Sequence, residues 1–288
     1  MKSELVDHCT GSIKTHDGLS LFIQSWTSKT SVRATVILTH GYAEHSGRYE
    51  LLGNSLAKVG IRLVAHDARG HGKSEGPWGL VPNLNVLTKD FMQVVEFVRT
   101  DNQLERPIIL FGHSMGGLVA TMLAANEPGL HDLLVISSPF FKPTSQPSKW
   151  KVEMIRFIST VFPSLPVTHF DSNEISRISE VVKSYDEDSL VYRGWLKARS
   201  AFSLIKGGQE ASRRARDLKH PLLLVHGGRD PTASPSASRE FVAKAAPTDK
   251  TLRIYKDSLH EVFNDLDGPT VLDDVIAWIE NRIDTQNR

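Results

Sequence analysis

The sequence predicts an α/β fold built on a mostly parallel sheet, and three features carry that prediction. Short runs that are apolar on both faces recur along the chain, as strands buried on both sides require. Most of them end in a tight turn followed by a helical pattern, the rhythm of strand–helix–strand units. One long interval, from about 140 to 219, holds no buried-strand signal and reads as an insertion between two strands.

Taken in order, Ile13–His16 and Leu19–Trp26 read as a hairpin about the turn Asp17-Gly18. Apolar runs follow at Thr35–Thr39, Arg62–Ala65, Ile108–Phe111, Leu133–Ile136, Leu222–Val225 and Leu252–Tyr255. Between them, Leu87, Phe91, Val94, Val95 and Val98 recur at helical spacing in a helix over Val86–Thr100. Met115–Ala125, Ser236–Ala246 and Pro269–Ile283 also read as helices, with Pro269 suited to a first turn. The expected organisation is a core of residues 1–139 and 220–288 with a helical cap over 140–219. The cap interval carries Pro143, Pro147, Pro163 and Pro166 and leaves the sheet at its loop ends, where ligands bind in open α/β folds.

Composition narrows the function. The 288 residues are 40% apolar, enough for a large core, and carry a net charge of +1. That balance argues against nucleic acid as a partner, which would call for a strong basic excess. The single cysteine, Cys9, rules out an internal disulfide framework and a Cys-based zinc site. Residues 1–9 include Glu4, Asp7 and His8 and no apolar run, so they do not read as a signal peptide. No stretch approaches the roughly 20 apolar residues of a membrane span. A cytoplasmic protein is the expectation, and nothing in the sequence sets an oligomeric state.

Gly112-His113-Ser114-Met115-Gly116 fits G-x-S-x-G, with a buried strand before it and a helix after it. Chance alone supplies this pattern in about one chain in ten of this length at typical glycine and serine frequencies. Its strand–turn–helix setting is what makes Ser114 a candidate nucleophile on a sharp elbow. Such a hydroxyl needs a base, and the fold places its partners in the order serine, acid, histidine. Asp230 follows the strand at Leu222–Val225 and His260 follows the one at Leu252–Tyr255. His260 is therefore the candidate general base and Asp230 the group that orients it. Asp257 is the rival acid, but it shares the histidine's own loop and reads as a turn residue. An oxyanion would need two donors: the backbone N–H of Met115 at a helix N-terminus, and that of Tyr42 in the turn His40-Gly41-Tyr42-Ala43. His260-Glu261 begins like a zinc-binding helix, yet Asn264 stands where a second histidine ligand belongs, so no metal is expected. His66 and His71 flank a glycine-rich turn, where a structural role outweighs metal binding.

His40-Gly41-x-x-Glu44-His45-Ser46-Gly47-Arg48-Tyr49, Asp67-x-x-Gly70-His71-Gly72-x-Ser74-Glu75-Gly76 and Gly112-His113-Ser114-Met115-Gly116-Gly117 resemble the monoacylglycerol lipase branch of the α/β-hydrolases, over about Gly11 to Ile283. The resemblance implies an eight-stranded α/β-hydrolase core, a helical cap over an apolar acyl tunnel, and a serine esterase without cofactor. It places the triad on Ser114, Asp230 and His260 and the oxyanion hole on the N–H groups of Tyr42 and Met115. The implied partner is a lipid ester, most directly monoacylglycerol, cleaved to fatty acid and glycerol; a lysophospholipase or general carboxylesterase with the same triad is the alternative. Two departures stand out. The cap and the region of the acid lack the cysteines of the animal enzymes, and Phe263 occupies the place of a histidine thought to line their glycerol end. Glu44 and Arg48, four apart, are expected to pair and hold the oxyanion loop.

Within the cap, Trp150, Met154, Phe157, Ile158 and Val161 form one helical stripe, widened by Val152, Ile155 and Phe162. Such a stripe commonly packs inward. The sharper reading is a lid that lines a lipid entrance or touches a membrane peripherally, flanked by Lys149, Lys151 and Arg156. The basic run Arg213-Arg214-Ala215-Arg216 reads as a solvated helix face.

Overall fold

The structure is a computed structural model and describes residues 6–101 and 104–286. Its first strands, β1 (Val6–Lys14) and β2 (Ser20–Ser28), form an antiparallel hairpin, Lys14 opposite Ser20. β1 starts seven residues earlier than the apolar pattern indicated. It is an edge strand, exposed along most of its length, so its sequence needs no apolar alternation.

β3 (Ala34–Thr39), helix α1 (Glu50–Lys58), β4 (Ile61–His66), α2 (Leu84–Arg99), β5 (Ile108–His113), α3 (Met115–Asn126) and β6 (Leu133–Ser137) follow. β3, β4, β5 and β6 are buried at every residue, which is why their sequences are continuous apolar runs. After β6 come α4 (Lys149–Val161), β7 (Pro166–Thr168), α5 (Ser179–Glu187), β8 (Leu196–Lys197) and α6 (Ala198–Arg213). The chain then returns through β9 (Leu222–Gly227), α7 (Pro235–Lys244), β10 (Lys250–Tyr255) and α8 (Gly268–Gln286).

The eight-stranded sheet runs β1-β2-β4-β3-β5-β6-β9-β10, parallel from β4 to β10. The predicted mostly parallel sheet is thus the observed one. Each face carries its own core. Phe91, Val94 and Leu118 belong to one, and Leu56, Val275 and Trp278 to the other. The anticipated stripe of α2 is buried throughout.

Between β6 and β9 the chain is mainly helical, with one correction: β7 and β8 pair as a short antiparallel ribbon. Neither strand is buried, so neither left an apolar run to read. The stripe of α4 turns out the other way from the common expectation. Trp150, Met154, Phe157 and Val161 are exposed, Trp150 by 64% and Phe157 by 69%. Val152, Ile155 and Ile158 are half-buried, and Ser159 is the buried residue of the helix. Arg213 and Arg216 are exposed, while Arg214 pairs with Asp217 at 2.7 Å, a solvated face as read.

Candidate active site

β5 ends at His113 and α3 begins at Met115, leaving Ser114 alone to make the turn. It does so at φ 52° and ψ −113°, a left-handed conformation that disfavours a side chain. Its N–H is held by the Ser137 carbonyl at 2.9 Å, and its carbonyl accepts from Phe140 N–H at 3.3 Å. The flanking glycines are required by space. A Cβ at Gly112 would lie 2.2 Å from Gly116 O, and one at Gly116 would lie 2.1 Å from Thr39 O. Among the described residues, the non-glycine positive-φ positions are Ala43, Ser114 and Ser138, in the loops after β3, β5 and β6. Strain of about 1–3 kcal/mol per such residue is therefore gathered at the C-terminal ends of three neighbouring interior strands.

The three candidate triad residues meet there. His260 Nε2 lies 2.9 Å from Ser114 Oγ, and His260 Nδ1 lies 2.7 Å from Asp230 Oδ2. All three are buried. A proton on Nδ1, donated to the carboxylate, leaves Nε2 free to accept the serine hydroxyl. Asp257 is exposed in the turn after β10, so the choice between the two acids falls to Asp230 on geometry.

Burial opposes the charge of both members of the pair, but their mutual attraction wins. Against that burial, the charge of His260 and hydrogen bonds from His226 and His260 hold the Asp230 carboxyl well below the usual carboxylate range. Burial likewise works against protonated His260, yet Asp230, helped by Glu261 and Glu44, raises its pKa above the ordinary histidine value. His113, whose ring centroid is 5.1 Å from that of His260, is driven the other way: burial, then the charge of His260, pull it down to about 3.

Tyr42 and Met115 border the same cavity as Ser114 and His260. Among the described residues, neither backbone N–H has a hydrogen-bond acceptor. The Tyr42 turn is braced by Glu44, whose Oε1 accepts from Gly41 N–H at 2.6 Å and from Tyr49 O–H at 2.7 Å. Arg48 Nε stands 3.5 Å from Glu44, the expected pair. Reading the sequence missed its second partner: Arg48 Nη2 also holds Glu261 at 2.5 Å. The guanidinium so links the Tyr42 turn to the residue after His260, and Asn264 Nδ2 adds a bond to Glu261 at 2.8 Å. Glu261 adjoins the candidate base, but nothing in its spacing announces a partner 213 positions away.

The cavity is about 130 Å³ and mainly apolar, walled by Met115, Phe140, Phe170, Ile175, Leu196 and Leu204. Its far wall comes from the segment around Phe170–Tyr185 and from α6. The stripe of α4 contributes nothing to it. Phe263 borders a smaller neighbouring hollow behind Glu44 and Glu261, its ring 5.7 Å from that of Phe111. His66 and His71 are buried and pulled down to about 3 by desolvation, then by His40. His66 stacks on Phe91 and His71 meets His40 and Tyr42 edge-on, as packing residues do.

Sheet order, strained elbow and hydrogen-bonded Ser114–His260–Asp230 chain define an α/β-hydrolase. A family model described as serine aminopeptidase, S33, matches residues 30–267, and the chain belongs to that family. The chain is 36% identical over 266 residues to a monoacylglycerol lipase of Mycolicibacterium smegmatis, covering 92% of this chain and 95% of that one. It is 32% identical over 272 residues to the monoglyceride lipase of Homo sapiens, covering 93% and 89%. The crystal structure of a Paleococcus ferrophilus monoacylglycerol lipase superposes with a TM-score of 0.78 at 27% identity, over 95% of this chain and 97% of that one.

Proposed function

We propose that this protein is a carboxylic ester hydrolase that cleaves monoacylglycerol to fatty acid and glycerol. The observation that carries the reading is the Ser114–His260–Asp230 chain opening into a mainly apolar cavity lined also by Tyr42 and Met115. The names of the relatives point to the same substrate and do not favour the lysophospholipase alternative.

In this reading Ser114 Oγ attacks the ester carbonyl while His260 Nε2 takes its proton. Asp230 orients the ring and stabilises the imidazolium that forms. The N–H groups of Tyr42 and Met115 receive the developing oxyanion, assisted by the N-terminus of α3. His260 then protonates the departing glycerol oxygen. Water, deprotonated by the same ring, releases the fatty acid. The acyl chain occupies the apolar cavity, and residues 140–219 act as its cap. Each CH₂ buried there contributes up to about 0.8 kcal/mol.

The exposed residues Trp150, Met154, Phe157 and Val161, extended by Phe162, Leu165 and Trp195, form the side that meets the lipid surface. An interfacial helix with lysines beside its apolar face behaves in this way. No described helix is long and apolar enough to cross a membrane.

A fluorophosphonate probe should label wild type and not Ser114→Ala. Release rates from monoacylglycerols, lysophospholipids and short p-nitrophenyl esters should rank a medium- or long-chain monoacylglycerol first. A lysophospholipid in first place would overturn the substrate assignment.

A further inference from the structure

Asp230 has a second imidazole. His226, the fifth residue of β9, is fully buried. Its Nε2 lies 3.0 Å from Asp230 Oδ2 and 3.1 Å from the Ala233 carbonyl oxygen, and its Nδ1 lies 2.8 Å from Ser238 Oγ on α7. Two acceptors face Nε2, so the proton sits there; Nδ1 faces a hydroxyl that can donate. Asp230 Oδ2 thus receives N–H groups from both His226 and His260. Asp230 Oδ1 receives the backbone N–H groups of Thr232 at 2.9 Å and Ala233 at 2.8 Å. Four donors meet a carboxylate that has about four acceptor sites.

We infer that His226 is a positioning residue of the proposed triad: through Asp230 Oδ2 it fixes the carboxylate against His260 and sets how firmly that carboxylate holds the proton on His260. The inference rests on the triad reading above. Its physical basis is competition. A carboxylate oxygen that already accepts one N–H is a weaker acceptor for another, so His226 restrains the attraction between Asp230 and the imidazolium. Ser238 completes the chain by pinning the His226 ring, so that Nε2 keeps its aim. The titratable groups around His260 are Asp230, Glu261, Glu44 and His113. His226 meets Asp230 on one side and Ser238, from α7, on the other.

The test is the pH profile of kcat/KM with a soluble p-nitrophenyl ester for wild type, His226→Phe and His226→Gln, with Ser114→Ala as control. The Phe variant keeps a ring and removes the donor. Its acid limb should move upward by about half to one pH unit, and plateau kcat should fall about tenfold through looser alignment. The Gln side chain can place an amide donor near the position of Nε2 and should reverse most of the shift. A folded Phe variant with an unmoved acid limb overturns the proposal, as does an equal shift in Phe and Gln; a purely packing role lowers activity without moving the limb. Should the Phe variant not fold, nitrogen NMR of the wild-type imidazoles decides: a His226 proton on Nε2 through the pH range of rising activity supports the proposal, and a bare Nε2 overturns it. Activity surviving in Ser114→Ala sinks the triad reading itself, which is a separate outcome.

Discussion

Two stretches of the same insertion are built on opposite terms. The stretch around α4 is tied to its own neighbours: the Leu165 carbonyl accepts from Ala198 N–H at 2.8 Å, and that of Pro163 from Arg199 N–H at 3.0 Å. Its apolar side faces outward. The stretch from Asp171 to Tyr192 is tied to the loops that carry the proposed triad. His260 N–H donates to the Glu174 carbonyl at 3.3 Å and Glu261 N–H to that of Ile175 at 2.9 Å. Thr232, two residues beyond Asp230, donates its hydroxyl to Glu174 at 2.6 Å. Arg177 pairs with Asp265 at 3.0 Å and Asp267 at 3.2 Å, and His45 meets Asp188 at 2.8 Å. Tyr192 N–H reaches the strained Ala43 carbonyl at 2.8 Å. The difference teaches that the insertion supplies a surface with one half and a brace with the other.

The comparison breaks first if the brace holds the wrong loop. Asp230→Asn should cost on the order of 10⁴ in kcat with the fold retained, by analogy with the serine-protease acid, and single-turnover hydrolysis measures it. If Asp257→Asn proves the crippling change, the acid and the loop held by Glu174 have both been misjudged.

Next in size is Arg177→Ala, which strips a partner from the buried Asp265 carboxylate. A loss of about 2–3 kcal/mol is expected, discounted because Arg177 is itself partly exposed. It should appear as a lower Tm together with a lower kcat, since the segment beside His260 loosens. The effect depends on pH. Although burial opposes its charge, Asp265 is held below its ordinary pKa by the N–H groups of Leu259, Arg177 and Leu266 and by the Arg177 side chain. The stabilisation is therefore present above the unfolded carboxylate value and lost as pH falls through the lowered folded one. Equal Tm values for variant and wild type at pH 7 would remove the brace from the comparison.

A milder effect sharpens the same point. In the proposed mechanism only neutral His260 can accept the serine proton, and its pKa is raised by Asp230 against the cost of burial. Activity should therefore rise through a midpoint above the reference value of about 6.5. A kcat/KM profile already flat at pH 6 contradicts this.

The smallest effect is expected in the outward half. Trp150→Ser with Phe157→Ser should leave Tm and hydrolysis of a soluble acetate ester nearly unchanged, within about 0.5 kcal/mol as for surface positions generally. Sedimentation with anionic vesicles should fall several-fold, and turnover of vesicle-borne monoacylglycerol should fall with it. A large drop in Tm would instead return the stripe to the core.

The five fully buried strands, β3, β4, β5, β6 and β9, were legible because double-sided burial leaves a continuous apolar run, whereas the start of the exposed β1 was not. Motif and chain order nominated Ser114, Asp230 and His260, and the structure brings the three side chains together. What stayed hidden has physical causes. Periodicity showed that α4 has an apolar face, but not that Trp150 and Phe157 point to solvent while Ile155 and Ile158 turn inward. The cavity is walled instead by Phe170, Ile175 and Leu204, none of which belongs to that stripe. The ties from Arg48 to Glu261 and from Glu174 to His260 join distant positions through one hydrogen bond or charge each, and such pairings leave no periodic trace. Helix α1 went unread, although Leu52 and Leu56 are buried at its core face.

The hydrogen bonds from His260 and Glu261 to Glu174 and Ile175 also bear on how this scaffold can be re-engineered. An insertion whose backbone is zipped to the reaction loop is not an interchangeable part. Transplanting the whole interval between β6 and β9 from a relative exchanges the acceptors that hold the His260 loop along with the exposed apolar side of α4. A chimera cut within 148–165 changes that surface and leaves those acceptors in place, so under the proposed lipid-contact role selectivity for the aggregate state of the substrate can be redesigned separately from the chemistry.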